Sequence, residues 1–315
     1  MRKLQVCCLL LAGFVAHGAL AQNYPNRPIR IHTSGAGANP DFVTRLVAGE
    51  ISNSLGQPVI VENRPAGFTL SMGVAKSAPD GYTLLSSPDQ LWIGPLFQPA
   101  PYDTFKDFAA VALMARAPNI LVIHPSLPVK TVSDLIRLAK AKPGGLNYST
   151  GSAGSSTHIA AEMFKHMAGV DVVRISYKDQ SSQNADMLSG QTEMTFGSQA
   201  TWAPMIRSGK LRAIASAGPR RSIMFPDLPT IADTLPGFTA ESLLALFAPA
   251  ATPPAIVQRV SQEVGRAFDK PEVRERMTQT AQETGGGTPE QLAELVRSEV
   301  ARVSRLIKES GMKTD

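Results

Sequence analysis

Two short segments combine small side chains with hydroxyls in a way that could hold an anion. They are Ser34-Gly35-Ala36-Gly37-Ala38-Asn39 and Thr150-Gly151-Ser152-Ala153-Gly154-Ser155-Ser156. Each follows a strand-like run and opens a helical pattern. The first turn of a helix exposes unpaired N–H groups and about half a unit of positive charge, and small residues let an anion reach them. Two such loops on separate lobes could clamp a ligand bearing one or two carboxylates. The same composition also suits an ordinary strand-to-helix turn that needs Gly for positive φ, so spacing alone leaves both readings open.

Other chemistries find less support. Neither loop ends in the Gly-Lys-Ser/Thr of a phosphate cradle, and neither carries the full dinucleotide-binding glycine triplet with its following acid. His158 and Glu162 stand four apart, as metal ligands on a helix face do, but two residues do not make a site. No G-x-S-x-G elbow occurs, and the Gly/Ser loops lack S-x-x-K spacing. Ser155, Ser156 and His158 are neighbours, yet a helix start orients them for capping rather than as nucleophile and base. No acid/base carboxylate pair is singled out. Trp92 and Trp202 each follow a strand-like segment near expected cleft edges, where half-buried packing and ligand contact are about equally supported.

The elements that would position these loops alternate between strand-like and helical runs, which points to helix-covered, largely parallel sheets. Ile29-Arg30-Ile31 reads as a strand. Asn39, Pro40 and Asp41 then form a helix start, with Phe42, Val43, Leu46, Val47, Ile51 and Leu55 at helical spacing and Gly56 as the stop. Further strands are expected at Val59–Val61, Tyr82–Leu85, Ile120–Ile123, Leu146–Ser149, Val172–Ile175, Glu193–Phe196 and Leu211–Ala215. Thr131 and Asp134 have capping-box spacing, and the helix after Ser156 stops at Gly169. Helices are expected over Pro254–Phe268 and Pro271–Gln282, with a long one opened by Thr288-Pro289.

The N-terminus reads as an export signal of residues 1–21: Arg2 and Lys3, an apolar run from Val6 to Leu20, and Ala19-Leu20-Ala21 as a cleavage site before Gln22. Both cysteines, Cys7 and Cys8, leave with it, so no disulfide or thiolate site is expected in the periplasm. The formal charge of +5 comes without a Lys/Arg run or interleaved aromatics, which argues against nucleic acid.

The run YPNRPIRIHTSGAGANPDFVTRLV, then LGQPVIVENRPAG and AKSAPDGYTLL, resembles the opening of the Bug family, the periplasmic binding proteins of tripartite tricarboxylate transporters. The likeness continues through YSTGSAGSSTHIAAEMFKHMAGVDVVRISYKDQSSQNADMLSGQTEMTF, PMIRSGKLRAIA, RRSIMFPDLPTIADTLPGF and LFAPAATPPAIVQRV, covering nearly the whole mature chain. It implies an α/β periplasmic-binding-protein fold of the Venus-flytrap type. Lobe 1 is expected at 22–124 plus 245–315 and lobe 2 at 125–244. The implied function is reversible capture of a small organic acid for transient delivery to membrane transporter subunits, by a monomer with no cofactor, no metal and no catalytic residue. A ligand-dependent sensor that signals to a membrane two-component system is the alternative.

Carried over by position, the resemblance implies ligand contacts at Ser34, Gly35, Ala36, Gly37, Asn39, Asp41, Ser86, Ser87 and Asp89 in the first lobe. In the second it implies Ser152, Ser155, Ser156, His158, Tyr177, Gln180, Gly197, Ser198 and Gln199. The first loop departs from the family's proline-rich pattern, since Thr33 and Ser34 replace its apolar-proline start. Gly197 or Ser198 stands where an Asp commonly faces the cleft. Both departures predict a changed ligand.

Overall fold

The computed structural model describes residues 24–37, 39–65, 67–151, 153–177 and 179–311. The export signal expected at residues 1–21, and also Ser152 and Lys178, lie outside the described residues. The first strand, β1 (Ile29–Thr33), runs parallel to β2 (Val59–Asn63) on one side and β3 (Thr83–Pro88) on the other. Helix α1 (Asn39–Leu55) connects β1 to β2, and α2 (Phe68–Ala75) connects β2 to β3. A short α3 (Gln90–Ile93) and a 3-10 turn follow.

The sheet then changes character. Strand β4 (Phe108–Ile123) is sixteen residues long, four times the stretch expected from its apolar end. Residues 108–118 pair antiparallel with β9 (Glu241–Pro249), which in turn pairs with β3. From Asn119 onward β4 pairs instead with β7 (Met194–Ser198) and β8 (Arg212–Ser216). Strands β5 (Asn147–Thr150) and β6 (Val173–Ser176) continue the second half in parallel with β7. A small β10 (Glu283–Gly286) returns to the first half of β4. One curled sheet therefore has two halves joined through β4.

Helices cover both halves. In the second, α4 (Val132–Ala141), α5 (Ser156–Ala168), α6 (Gln180–Ser189) and α7 (Gln199–Arg207) follow strands in turn. The capping box at Thr131 and Asp134 is present, and Gly169 ends α5 in the left-handed conformation. The chain closes with α8 (Pro254–Asp269), α9 (Pro271–Gln279) and α10 (Pro289–Ser310).

One core lies between the first half-sheet and α1, α8 and α9, with Ile29, Ile31, Val43, Val47, Ile51, Val260, Val264 and Phe268 buried. The opposite core is continuous across both halves. It joins Leu85, Trp92 and Phe247 to Tyr148, Phe164 and Phe196, with Val296, Val303 and Leu306 of α10 in contact with both. A third cluster of Ile120, Val122, Met187, Trp202 and Leu211 seals α6 and α7 onto the second half.

Candidate functional site: a cleft between two helix N-termini

The first wall is the β1–α1 loop. Gly37 has φ 77°, a conformation that favours glycine, and open space lies where a Cβ would stand. Its N–H donates to Asp41 Oδ2 (2.9 Å), and the other Asp41 oxygen accepts from Asn63 Nδ2 (2.8 Å) and Arg45 Nε (3.0 Å). Burial pulls the Asp41 carboxyl upward, but these three donors outweigh it and hold the group below the usual carboxylate range. Asp41 thus braces the loop, and the first turn of α1 is left facing outward with Asn39 and Pro40.

The second wall is the β7–α7 turn. Register places Gly197 opposite Ile120 and Ser198 opposite Asn119, beside the point where β4 changes partners. Ser198 caps α7: its hydroxyl accepts from Thr201 N (3.3 Å) and lies 3.1 Å from Thr201 Oγ1. Gly197 is required by its neighbour, since a Cβ there would come within 2.0 Å of Trp202 Nε1. Trp202 is 1% exposed and belongs to the core under α7, which answers its role as packing. The Gln199 side chain is also internal. Its Nε2 donates to Pro118 O (3.1 Å) and its Oε1 accepts from Ser222 Oγ, so it ties α7 to the crossing strand.

Between these walls lies a cavity of about 450 Å³, within the range of small-molecule sites. It is lined by Gly37, Asn39 and Pro40 from the α1 start, Ser198 and Thr201 from the α7 start, and Pro88 at the end of β3. Ala117 of β4, Ser242, Leu243 and Leu244 of β9, and Gln282 close it from behind. The N-termini of a 17-residue and a 9-residue helix thus converge on one space. A second cavity of the same volume lies away from them, between β1 and α2, lined by His32, Arg64, Leu70 and Val74 among others.

Of the residues carried over from the resemblance, Gly37, Asn39 and Ser198 line this cavity. Ser34 is half-buried, and Gly35 and Ala36 are exposed on the same loop. Ser86 is buried against Thr44, with 2.7 Å between hydroxyls, and Ser87 donates to Pro88 O (3.2 Å). Asp89 follows Pro88; its N–H donates to Leu243 O (3.0 Å). Burial pushes its carboxyl up to about 7, against N–H groups of Leu243 and Gln90, with Glu299 raising it and Arg302 lowering it. Ser155 caps α5 through His158 N (3.3 Å), and Ser156 is half-buried in the first turn. His158 is buried, accepts from Gly154 N at Nδ1 (3.1 Å) and sits edge-on to Phe97. Its partner by spacing, Glu162, accepts from Tyr148 (2.5 Å) and pairs with Lys165 (3.0 Å). Tyr177 donates to Asp186 (2.6 Å), and burial together with that bond pushes its phenol up to about 12. Gln180 is exposed and donates to Asn184 (2.8 Å).

The lining residues that sequence reasoning missed are Thr201, Pro40, Pro88, Ala117, Ser242, Leu243, Leu244 and Gln282. Thr201 had a local signal, being three residues past a capping serine. The strand residues had none, because only the pairing of β4 with β9 brings them to the cleft.

A family model described as "Tripartite tricarboxylate transporter family receptor" matches residues 43–312. BugT of Bordetella pertussis is 32% identical over 306 residues, covering 95% of this chain and 94% of its own. A protein from the gbd 5′ region of Cupriavidus necator is 33% identical over 297 residues, 93% of this chain and 90% of its own. Among solved structures, R. palustris Rpa4515 with adipate superposes with a TM-score of 0.80 at 30% identity, covering 92% of this chain and 99% of that one. MatC from Rhodopseudomonas palustris with bound malate gives 0.74 at 28% identity, covering 90% and 100%. The chain belongs to the tripartite tricarboxylate transporter receptor family.

Proposed function

We propose that this chain is exported by residues 1–21 and, as a monomer in the periplasm, captures a small carboxylate between two lobes for delivery to the membrane subunits of its transporter. The observation that carries the reading is the cavity on which the α1 and α7 N-termini converge. Oriented N–H groups there supply positive potential, and Asn39, Ser198 and Thr201 add neutral donors. Relatives solved with adipate and with malate support a carboxylate ligand. The change of partners on β4 between Pro118 and Asn119 supports a hinge on this strand between lobes anticipated at 22–124 with 245–315 and at 125–244.

A thermal-shift screen of the mature protein over small carboxylates tests the reading. A ligand at 100 times its Kd stabilises by about 2.7 kcal/mol, which moves the melting temperature measurably. A screen in which no acid shifts the melt while neutral compounds do contradicts it.

A further inference from the structure

We infer that the outward face of β1 and β2 docks on a membrane subunit of the transporter, which meets it with an acidic segment carrying an apolar side chain. The inference rests on the delivery reading above and deepens it by assigning a surface. Side chains alternate across a strand, so Arg30 and His32 stand on the face opposite Ile29 and Ile31, which are buried toward α1. Parallel register sets Ile60 and Glu62 of β2 beside them. Two cavities open on this face. One, of about 450 Å³, lies between α2 and His32 with Arg64; the other, of about 320 Å³, lies over Arg27, Arg30, Ile60 and Asp80. Among the described residues, neither shares a lining residue with the cavity between α1 and α7, so a segment seated here leaves that cleft open.

Ile60 is 41% exposed in the middle of β2, the strand that ends the sheet on this side. A single exposed isoleucine is ordinary on a surface, and its setting is what singles it out. In the ion pairs around it the acid lies deeper than the arginine. The Arg27 side chain is 59% exposed and that of Asp80 38%, with 2.7 Å between them. Arg30 and Arg64 are each 55% exposed and share Glu62, which is only 20% exposed. Three guanidiniums therefore stand over two carboxylates, with the positive charge outermost. Ion pairs this open to water hold weakly, so the arginines can turn to a partner's carboxylates at little cost. Such a rim draws in an acidic segment and turns away a basic one, while Ile60 gives an apolar side chain a surface to cover.

Site-specific photocrosslinking in cells that make the chain and its transporter tests this. A photoreactive phenylalanine analogue replaces Ala78, an exposed residue lining the second cavity, and in a control replaces Ile223, exposed between β8 and β9. Irradiation is expected to join position 78, and not position 223, to a membrane subunit through a peptide rich in Asp and Glu. Arg30→Glu combined with Arg64→Glu, and separately Ile60→Asp, are each expected to cut that adduct at least tenfold. Changing the acids of the crosslinked peptide to lysine is expected to restore it with the double variant. If the double variant fails to fold, as read from its melt, Arg27→Glu serves the same comparison. An adduct from position 223 alone, adducts only with a second copy of the chain or with lipid, or no adduct at all overturns this surface and leaves delivery standing. So does an undiminished adduct in the folded double variant. If liposomes holding the membrane subunits take up adipate and malate as fast without the chain as with it, delivery fails and this surface fails with it.

Discussion

Position 197 shows how a single missing side chain shapes both the wall and the core. A Cβ there would stand 2.0 Å from Trp202 Nε1, and the indole has no slack because it is packed against Ile120, Val122 and Leu211. Gly197→Ala is therefore expected to cost about 1–3 kcal/mol through overpacking, lowering the melting temperature by several degrees. An unchanged melt would mean that the indole moves freely. Asp89 makes a different prediction. Its carboxyl is raised to about 7, so the folded state holds a proton that the unfolded chain has released at an ordinary carboxylate pKa. Its contribution is fully present at low pH and is lost as pH rises from about 4 through about 7. Asp89→Asn should melt higher than wild type at pH 8 and equally at pH 4. A difference that does not change with pH contradicts this assignment.

Among the elements, local chemistry made the helix starts legible and long-range pairing kept the cleft floor hidden. Asn39-Pro40-Asp41, Thr131 with Asp134, and Thr288-Pro289 each announce a helix because the cap and the first turn are neighbours in sequence. The Gly/Ser loops were visible for the same reason, and one of them lines the cavity. The other, at 150–156, closes on itself through Ser155, His158 and Gly154, with the Phe97 ring, distant in sequence, packed against His158. Strand β4 was read only at its apolar end, since Pro118 and the alanines before it carry little strand signal. Strand β9 and Gln282 reach the site only through pairings more than a hundred residues apart. Helix α10 also exceeds its expected role. Leu292 and Val296 join the core beside Phe108 and Phe247, while Val303 and Leu306 join the core with α5, where Arg302 approaches Met163 Sδ at 3.8 Å. Leu306→Ala is expected to cost about 2–4 kcal/mol although it lies far from the cleft, measurable as a lower urea midpoint.

At the scale of the whole molecule, the core shared through α10 is expected to make the two halves, joined through β4, one cooperative unit. The chain's two tryptophans sit one in each half, Trp92 on α3 and Trp202 on α7, and both are buried. Single-tryptophan variants, Trp92→Phe and Trp202→Phe, should therefore give coincident urea midpoints by fluorescence, each matching its own far-UV circular dichroism transition. Separate midpoints would mean that the halves unfold independently and that α10 does not couple them. Carboxylate capture between the two helix starts is tested most directly by a crystal structure with the tightest carboxylate from the screen. The ligand carboxylate is expected within hydrogen-bond reach of the first turns of α1 and α7, beside Asn39, Ser198 and Thr201. A ligand seated instead between β1 and α2, against His32 and Arg64, would contradict it.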